Sequence, residues 1–311
     1  MPLAVKTRGI RTSCLAIVLL VLLVGHASIA LAQEEILEPA THEQREALSQ
    51  FLEYNDEAEL RAVVIEETEA EAHTRQKIVF TGVQNSRVPA YLALPTTAAK
   101  PYPVVILIDG IYGSKERWFE EDSWPRGRAV TDRLIAEGFA VMSLDVRYHG
   151  ERAAENDYRI PSHAADLRDM IVPSVREHRR AMDYLETREV IDTDRIGLLG
   201  LSMGGMMSFM LAAVEPRVTA VATGVTPVGE FGELRDMPIA PQTYAGGIAD
   251  VPFLMMMGRE DPFYTETEAQ ALFDLLATPT KGLTFYDADH RLPAAYPSDA
   301  VSWLTSYLGG E

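Results

Sequence analysis

Apolar residues in most of this chain occur in short continuous runs, and these runs alternate with stretches of helical periodicity. Because consecutive positions are apolar, both faces of such a strand would be buried, which is typical of parallel strands covered by helices. Central strands are predicted at residues 104–108, 140–144, 196–199, 218–225, 253–257 and 283–286, and helices at 128–137, 164–187, 203–214, 266–276 and 298–308. The pattern predicts an α/β fold with a doubly wound, mostly parallel sheet.

The N-terminal third has a different pattern. β-branched and aromatic residues concentrate at 62–65, 77–80 and 88–94, and Asn85-Ser86 separates the last two runs. This arrangement predicts antiparallel strands at the start of the sheet. Further upstream, Thr41 followed by Gln44 has the form of a capping box. Behind this box, an amphipathic helix is expected to pack on the main body through Ala47, Leu48, Phe51 and Leu52.

Composition supports a folded protein and excludes several classes of partner. The 311 residues are 47% hydrophobic and 24% charged, which is usual for globular chains. Asp and Glu outnumber Lys and Arg by 46 to 28, a formal charge of −18. Such a chain would repel a phosphate backbone, so we expect no nucleic-acid partner and no anionic membrane surface.

The first 32 residues have the pattern of a secretory signal peptide. Lys6, Arg8 and Arg11 precede an apolar run at 14–24, and Ala30-Leu31-Ala32 supplies the small residues of a cleavage site. An uncleaved anchor is the alternative, but the run is shorter than the ~20 apolar residues that span a membrane. We therefore expect export to the periplasm or the medium, cleavage after Ala32 and no stable membrane insertion afterwards.

Cleavage would also remove the only cysteine. Cys14 lies in the predicted signal, so the exported chain, beginning at Gln33, would contain no thiol. That excludes disulfides, thiolate catalysis and cysteine zinc sites.

A candidate nucleophile follows the predicted strand at 196–199. The segment Gly200-Leu201-Ser202-Met203-Gly204 is followed by a predicted helix, which is the strand, turn and helix context of a Gly-x-Ser-x-Gly nucleophile elbow. Glycines are needed because such a sharp turn brings the chain close to itself on both sides of the serine. The sequence therefore favours Ser202 as a nucleophile over a turn that only packs a helix on a strand.

A serine hydroxyl needs a histidine to accept its proton and a carboxylate to orient that histidine. Two later strands end in such residues: Glu260 and Asp261 follow one, and Asp289 and His290 follow the next. Because the carboxyl ends of parallel strands meet at one edge of a sheet, these side chains are expected to lie near Ser202.

These motifs resemble the α/β-hydrolase superfamily, in particular its dienelactone-hydrolase-like esterase and peptidase group, over residues 104–308. The resemblance implies that Ser202 is the nucleophile, His290 the general base and then acid, and Asp261 the orienting carboxylate. Asp261 is preferred over Glu260 and Asp289 because the family's Gly-x-x-Asp spacing falls on Gly258 and Asp261. The implied organisation is a signal peptide over 1–32, an N-terminal helix and strand extension over 33–75, and a catalytic domain over 76–311.

The resemblance also implies an oxyanion hole of two backbone N–H groups, one from Met203 and one from the loop after the strand at 104–108. In that loop Ile111 is the expected donor, with Tyr112 the alternative. Asp109 stands where the family usually has histidine, which puts the anchoring of the loop in question. A phosphate-binding reading of residues 110–115 fails because the Gly-Lys-Ser/Thr order is missing.

No cofactor and no metal are expected. His149, His163 and His178 have no partners at zinc-ligand spacing. Methionines on the elbow helix and on the strand at 253–257 more often fill core gaps than bind a soft metal. They are Met203, Met206, Met207, Met210, Met255, Met256 and Met257.

The sequence thus predicts an exported serine hydrolase of small carboxylic esters that acts through an acyl-enzyme. A prolyl-oligopeptidase-like peptidase and a binding protein on a hydrolase scaffold are the alternatives. Residues 227–251 are too few for a large helical cap, so an open cleft is expected. Which ester is cleaved, and the oligomeric state, are left open by the sequence.

Overall fold

A computed structural model gives the structure of the protein over residues 40–155, 164–228 and 238–309. Residues Glu38–Glu311 form one compact unit. The predicted signal peptide, its cleavage site after Ala32 and His163 lie outside the described residues. They stay predictions from the sequence.

The described residues contain nine strands and seven α-helices. The strands are β1 Val63–Glu69, β2 His73–Thr81, β3 Arg87–Pro95, β4 Tyr102–Ile108, β5 Ala140–Leu144, β6 Ile191–Leu201, β7 Val218–Gly224, β8 Phe253–Gly258 and β9 Lys281–Tyr286. The helices are α1 His42–Gln50, α2 Gly127–Ala136, α3 Ala164–Glu186, α4 Met203–Val214, α5 Pro241–Ala245, α6 Glu266–Leu275 and α7 Tyr296–Leu308.

All nine strands form one sheet in the order β1-β2-β3-β5-β4-β6-β7-β8-β9. Pairing is antiparallel from β1 to β3 and between β3 and β5, and parallel from β5 through β4 to β9. The predicted fold class, a mostly parallel sheet with antiparallel N-terminal strands, is confirmed. Because β4, β6, β8 and β9 are parallel, the loops that follow them meet at the same edge of the sheet.

The central strands are buried on both faces, as their continuous apolar sequences require. Every residue of β5 and of β8 is buried, and α4 is buried along most of its length. β6 begins at Ile191, five positions before the predicted start. The prediction missed residues 192–195 because they are polar and at least partly exposed, unlike the apolar run that follows. The methionines of α4 and β8 all lie in the core.

The capping box at the start of α1 is confirmed: the Thr41 hydroxyl accepts from the Gln44 N–H, and the Gln44 side chain accepts from the Thr41 N–H. The predicted packing of this helix is wrong in extent. No residue of α1 is buried, and Phe51 is half exposed. The fully buried Leu52, just beyond the helix, makes the attachment instead.

β1 and β2 belong to the same sheet as the later strands. The domain boundary predicted at residue 75 therefore falls inside β2. Within the described part of the chain, no helix has both the length and the apolar content needed to cross a membrane.

Candidate active site

Ser202 occupies a strained turn between β6 and α4. Its φ of 55° and ψ of −120° lie in a region that residues with side chains rarely adopt. The flanking glycines are required by close approach: a Cβ on Gly200 would lie 2.2 Å from the Gly204 carbonyl oxygen, and one on Gly204 would lie 2.1 Å from the Ile108 carbonyl oxygen. The turn therefore has the geometry predicted for a nucleophile elbow.

The structure brings together the three side chains that the sequence singled out. Nε2 of His290 lies 2.9 Å from Oγ of Ser202, and Nδ1 of His290 lies 2.7 Å from Oδ2 of Asp261. With its proton on Nδ1, the imidazole donates to the carboxylate and presents a free electron pair to the serine hydroxyl. Such an arrangement is able to take a proton from Ser202 and hold the charge that results.

Asp261, rather than its neighbours, is the carboxylate bound to His290. The Asp261 side chain is fully buried, whereas Glu260 and Asp289 are exposed. Asp289 accepts a hydrogen bond from the backbone N–H of Arg291 instead. From the sequence, only spacing favoured Asp261 among the three acids. In the structure, the side chain of Asp261 is the one that points to the imidazole of His290.

Two neighbours fix the Asp261 carboxylate. Its Oδ1 accepts from the backbone N–H of Phe263 at 2.9 Å. The hydroxyl of Tyr264 hydrogen-bonds Asp261 and also accepts from the Gly258 N–H at 2.8 Å. Burial and the charge of Asp261 hold the pKa of Tyr264 above its ordinary value. Sequence reasoning missed this positioning contact.

The loop after β4 passes directly against the serine. A Cβ on Gly110 would lie 3.0 Å from Cβ of Ser202. The loop turns at once, with the Gly113 N–H donating to the Gly110 carbonyl at 2.9 Å and Tyr112 at a φ of 64°. Within the described residues, the N–H groups of Ile111 and Met203 donate no hydrogen bond. Both are thus available to a substrate oxygen beside Ser202.

Asp109 anchors this loop in the place of the expected histidine. Its Oδ1 accepts from the Gly110 N–H at 2.7 Å, and its Oδ2 lies 3.5 Å from Nη1 of Arg117. Burial raises the pKa of Asp109 to about 6, although Arg117 acts to lower it. Arg117 also donates to the carbonyl of Tyr112 at 3.3 Å, so it ties both ends of the turn.

Lys115, at the far end of the loop, is fully buried in a group of carboxylates. Its Nζ lies 2.8 Å from Asp145, 2.5 Å from Glu116 and 2.6 Å from Glu151. Burial lowers the pKa of Lys115, but hydrogen bonds and attraction from these acids outweigh it and raise the pKa above its ordinary value. No local sequence pattern predicts this contact, because Asp145 lies thirty positions away.

These carboxylates are also the group with metal-ligand spacing: oxygens of Glu116, Asp145 and Glu151 lie within 4.8 Å of one another. The Lys115 ammonium lies among them and supplies the positive charge that a cation would bring. Two further histidines, His149 and His178, hydrogen-bond to backbone carbonyls. Nδ1 of His149 pairs with the Arg147 carbonyl, and Nδ1 of buried His178 pairs with the Ser174 carbonyl.

Aromatic side chains surround the imidazole. The ring of Phe263 stands edge-on to His290 at 4.5 Å between centroids, and Trp124 lies on another side at 5.5 Å. Tyr112, in the loop after β4, is 58% exposed, whereas Trp118 is fully buried in the core.

Comparison with known proteins finds relatives among hydrolases. A family model described as "Dienelactone hydrolase family" matches residues 88–298. Among curated proteins, the chain is 26% identical over 247 residues to a "Putative carboxymethylenebutenolidase" of Yersinia pestis, covering 72% of this chain and 85% of that protein. It is 25% identical over 145 residues to "Putative hydrolase YtaP" of Bacillus subtilis, covering 43% of this chain but only 46% of that protein.

Solved structures show the same fold. Acetyl xylan esterase 1 from Thermoanaerobacterium sp. superposes with a TM-score of 0.69 at 19% identity, covering 88% of this chain and 95% of that chain. The likeness at this identity concerns the fold. With the family match, it confirms the α/β-hydrolase resemblance drawn from the sequence.

Proposed function

Since the chain belongs to the dienelactone hydrolase family, we propose that it is a serine hydrolase that cleaves carboxylic esters through an acyl-enzyme. The observation that carries the proposal is the hydrogen-bonded series from Ser202 through His290 to Asp261, with Ser202 at a strained elbow. Family membership supports hydrolysis, and the geometry supports serine as the attacking group.

In the proposed acylation, Oγ of Ser202 attacks the ester carbonyl carbon while Nε2 of His290 takes the hydroxyl proton. Asp261 stabilises the imidazolium that forms, and its own carboxylate stays ionised. The carbonyl oxygen becomes negative as the tetrahedral intermediate forms. In this proposal, the free N–H groups of Met203 and Ile111 donate to it.

Collapse of the intermediate expels the alcohol, which takes its proton from His290. Water then enters, loses a proton to His290 and attacks the acyl-enzyme carbonyl. The second tetrahedral intermediate collapses to the acid product, and His290 returns its proton to Oγ of Ser202. Each step moves one proton between His290 and a group that lies within reach of its Nε2. Bonds and charges therefore balance without a further reactant or cofactor.

The names of similar proteins suggest a class of substrate. One is named a putative carboxymethylenebutenolidase, and a structural neighbour is named an acetyl xylan esterase. We propose small, soluble esters or lactones for this chain. The exposed Tyr112, in the loop that passes Ser202, is compatible with an open approach to the site.

A fluorophosphonate probe tests the mechanism, because it labels only an activated serine. The wild-type protein is expected to be labelled, and mass spectrometry is expected to place the adduct on Ser202. A panel of p-nitrophenyl esters beside aminoacyl anilides then separates esterase from peptidase. Labelling with no turnover of any ester would support a binding protein on a hydrolase scaffold, and faster turnover of anilides would support a peptidase.

Export is a separate proposal, supported by the sequence pattern of residues 1–32. N-terminal sequencing of protein recovered from a secreting host is expected to begin at Gln33. A mature chain that still begins at Met1 would favour the uncleaved anchor.

A further inference from the structure

A groove of about 520 Å³ lies at the turn between β2 and β3, apart from the candidate active site. The segment before β1, the turn itself and α3 form its walls. Its volume falls in the range of about 300 to 1,000 Å³ that is typical of small-molecule sites. The polar residues that line this β2–β3 groove include Asn55, Arg61, Gln84, Asn85 and Arg176.

The β2–β3 groove is not an extension of the site around Ser202. β2 and β6 are separated by three other strands in the sheet, β3, β5 and β4. At a spacing of about 4.8 Å between neighbouring strands, the distance across the sheet is about 19 Å. A small ester bound at Ser202 would not reach the groove.

Arg176 is the unusual residue of this groove. Its Nε is buried with no hydrogen-bond partner, and its Nη2 donates to the carbonyl of Phe51. Among the residues that the structure describes, no carboxylate forms an ion pair with it. A half-buried guanidinium with an unused donor is unfavourable on its own, because its charge has lost water without gaining a partner.

Two nearby acids are already paired with other arginines, so they do not neutralise the charge of Arg176. Glu177 is the nearest acid on α3, but it is already shared by two arginines: Arg147 lies 3.0 Å and Arg152 lies 2.7 Å from its carboxylate oxygens. Burial and repulsion from Arg147 lower the pKa of Arg176 below its ordinary value. The remaining acid of the groove, Glu59, pairs with Arg61 at 3.2 Å.

Of the two arginines that line this groove, Arg61 is paired with Glu59, so Arg176 is the one whose charge no lining carboxylate neutralises. Gln84 and Asn85 bring amide groups to the same groove, and both hold left-handed backbone angles, with φ of 57° and 58°. Non-glycine residues in this region are strained, and such strain concentrates at ligand sites. Guanidinium and amide donors together suit a ligand with several acceptor oxygens.

We propose that the β2–β3 groove binds a small oxyanion-bearing molecule, with the guanidinium of Arg176 as its principal contact. Phosphate, sulfate and carboxylate groups share the chemistry that this site recognises: each offers two or more negative oxygens to the donor fork of an arginine. Binding would neutralise the charge of this half-buried guanidinium.

Isothermal titration with inorganic phosphate, sulfate and citrate tests the proposal, with sodium chloride at matched ionic strength as the blank. At least one of the three is expected to bind saturably. Arg176→Gln is expected to weaken that Kd by about tenfold or more, since it removes a charge-assisted contact. Arg168→Gln, which removes an exposed arginine from the same helix, is expected to leave the Kd within about twofold, as are exposed charge changes generally.

Two further measurements keep the result independent of folding and of catalysis. Hydrogen exchange on the wild-type protein is expected to show slower exchange at residues 82–86 when the bound anion is present. Ser202→Ala is expected to keep the same Kd, because the active site takes no part. Equal affinity in Arg176→Gln and wild type, protection elsewhere with none at 82–86, or no binding of any of the three anions would overturn the proposal.

Discussion

Asp145 holds Lys115 at two points: its Oδ1 accepts from the Lys115 backbone N–H at 2.9 Å, and its Oδ2 accepts from the Lys115 ammonium at 2.8 Å. Oδ2 also accepts from the Glu151 N–H at 3.0 Å. One carboxylate at the end of β5 therefore fixes the end of the loop that contains Ile111. The position of the proposed oxyanion hole depends on this buried contact.

Lys115→Met is expected to destabilise the protein strongly, because Asp145 would stay buried without its cation. Removing one partner of a buried ion pair costs about 3 to 5 kcal/mol. Urea denaturation at neutral pH measures the loss in the free energy of unfolding. Lys77→Met is the matched control: Lys77 also pairs with Glu151, but more exposed to water, so its loss should be within about 1 kcal/mol. Equal effects of the two substitutions would contradict this account.

Ser202→Ala is expected to lower kcat by at least about 10⁴-fold while the protein stays folded, since alanine fits the same turn without a new contact. His290→Ala should be about as severe. The double variant should be little worse than either single one, because triad members act as a unit. Ser208→Ala, on the same helix as the elbow, controls for loss of a buried hydroxyl. Near-normal ester turnover by Ser202→Ala would rule out the proposed nucleophile.

Tyr264→Phe is expected to lower kcat by about tenfold with little change in KM. The substitution leaves the Gly258 N–H without its acceptor and frees the Asp261 carboxylate to turn. An unsatisfied buried group costs about 1 to 3 kcal/mol, and Asp261 acts in the transition state more than in substrate binding. Steady-state kinetics on one soluble ester measure the effect, with Tyr307→Phe at the exposed end of α7 as the control. A rise in KM alone would place Tyr264 in the substrate pocket instead.

Asp109→Asn is expected to change how stability depends on pH. In the native protein, burial raises the pKa of Asp109 from 3.8 to about 6, so the folded state binds this proton more tightly than the unfolded state. The contribution of Asp109 to the free energy of unfolding should therefore fall as pH rises from about 4 to about 6, by about 3 kcal/mol in all, and stay level above.

The Asp109→Asn variant lacks this decline. The difference in free energy of unfolding, variant minus wild type, should therefore be more positive at pH 7.5 than at pH 4.5. Urea denaturation at the two pH values measures it. Asp122→Asn, at an exposed position, should follow the wild type at both pH values. A difference between wild type and Asp109→Asn that does not vary with pH would show that Asp109 is ionised throughout.

Substrate length is predicted from the connection between β7 and β8. Residues 227–251 are too few for a cap domain, and the five-residue α5 is the only helix in its described part. Acetate and butyrate p-nitrophenyl esters are therefore expected to be hydrolysed with simple saturation, without the jump in rate that lid opening gives at an oil surface. A sharp increase above the solubility limit of a long-chain ester, with little activity on acetate, would contradict an open cleft.

The fold class and most residues of the candidate site could be predicted from the sequence alone. Continuous apolar runs predict parallel central strands, because a strand that is buried on both faces needs apolar residues at consecutive positions. The elbow at Ser202 was readable because its glycines, its strand and its helix are neighbours in the chain. His290 was readable for a related reason: it follows a parallel strand, and all such strand ends meet at one edge.

Three features depend on contacts between distant residues: the direction of the Asp261 carboxylate towards His290, the anchor of the loop that contains Ile111, and the lack of a carboxylate partner for Arg176 among the described residues. Asp261, Glu260 and Asp289 all supply a carboxylate close to the end of a strand. What separates them in the fold is the direction of the side chain: Asp261 points to His290, and the other two are exposed. The partners of Lys115 and Arg176 come from distant parts of the chain. The local sequence pattern indicates which face of a helix or strand is buried. The energy of a buried charge depends instead on the groups that folding brings within a few ångströms of it.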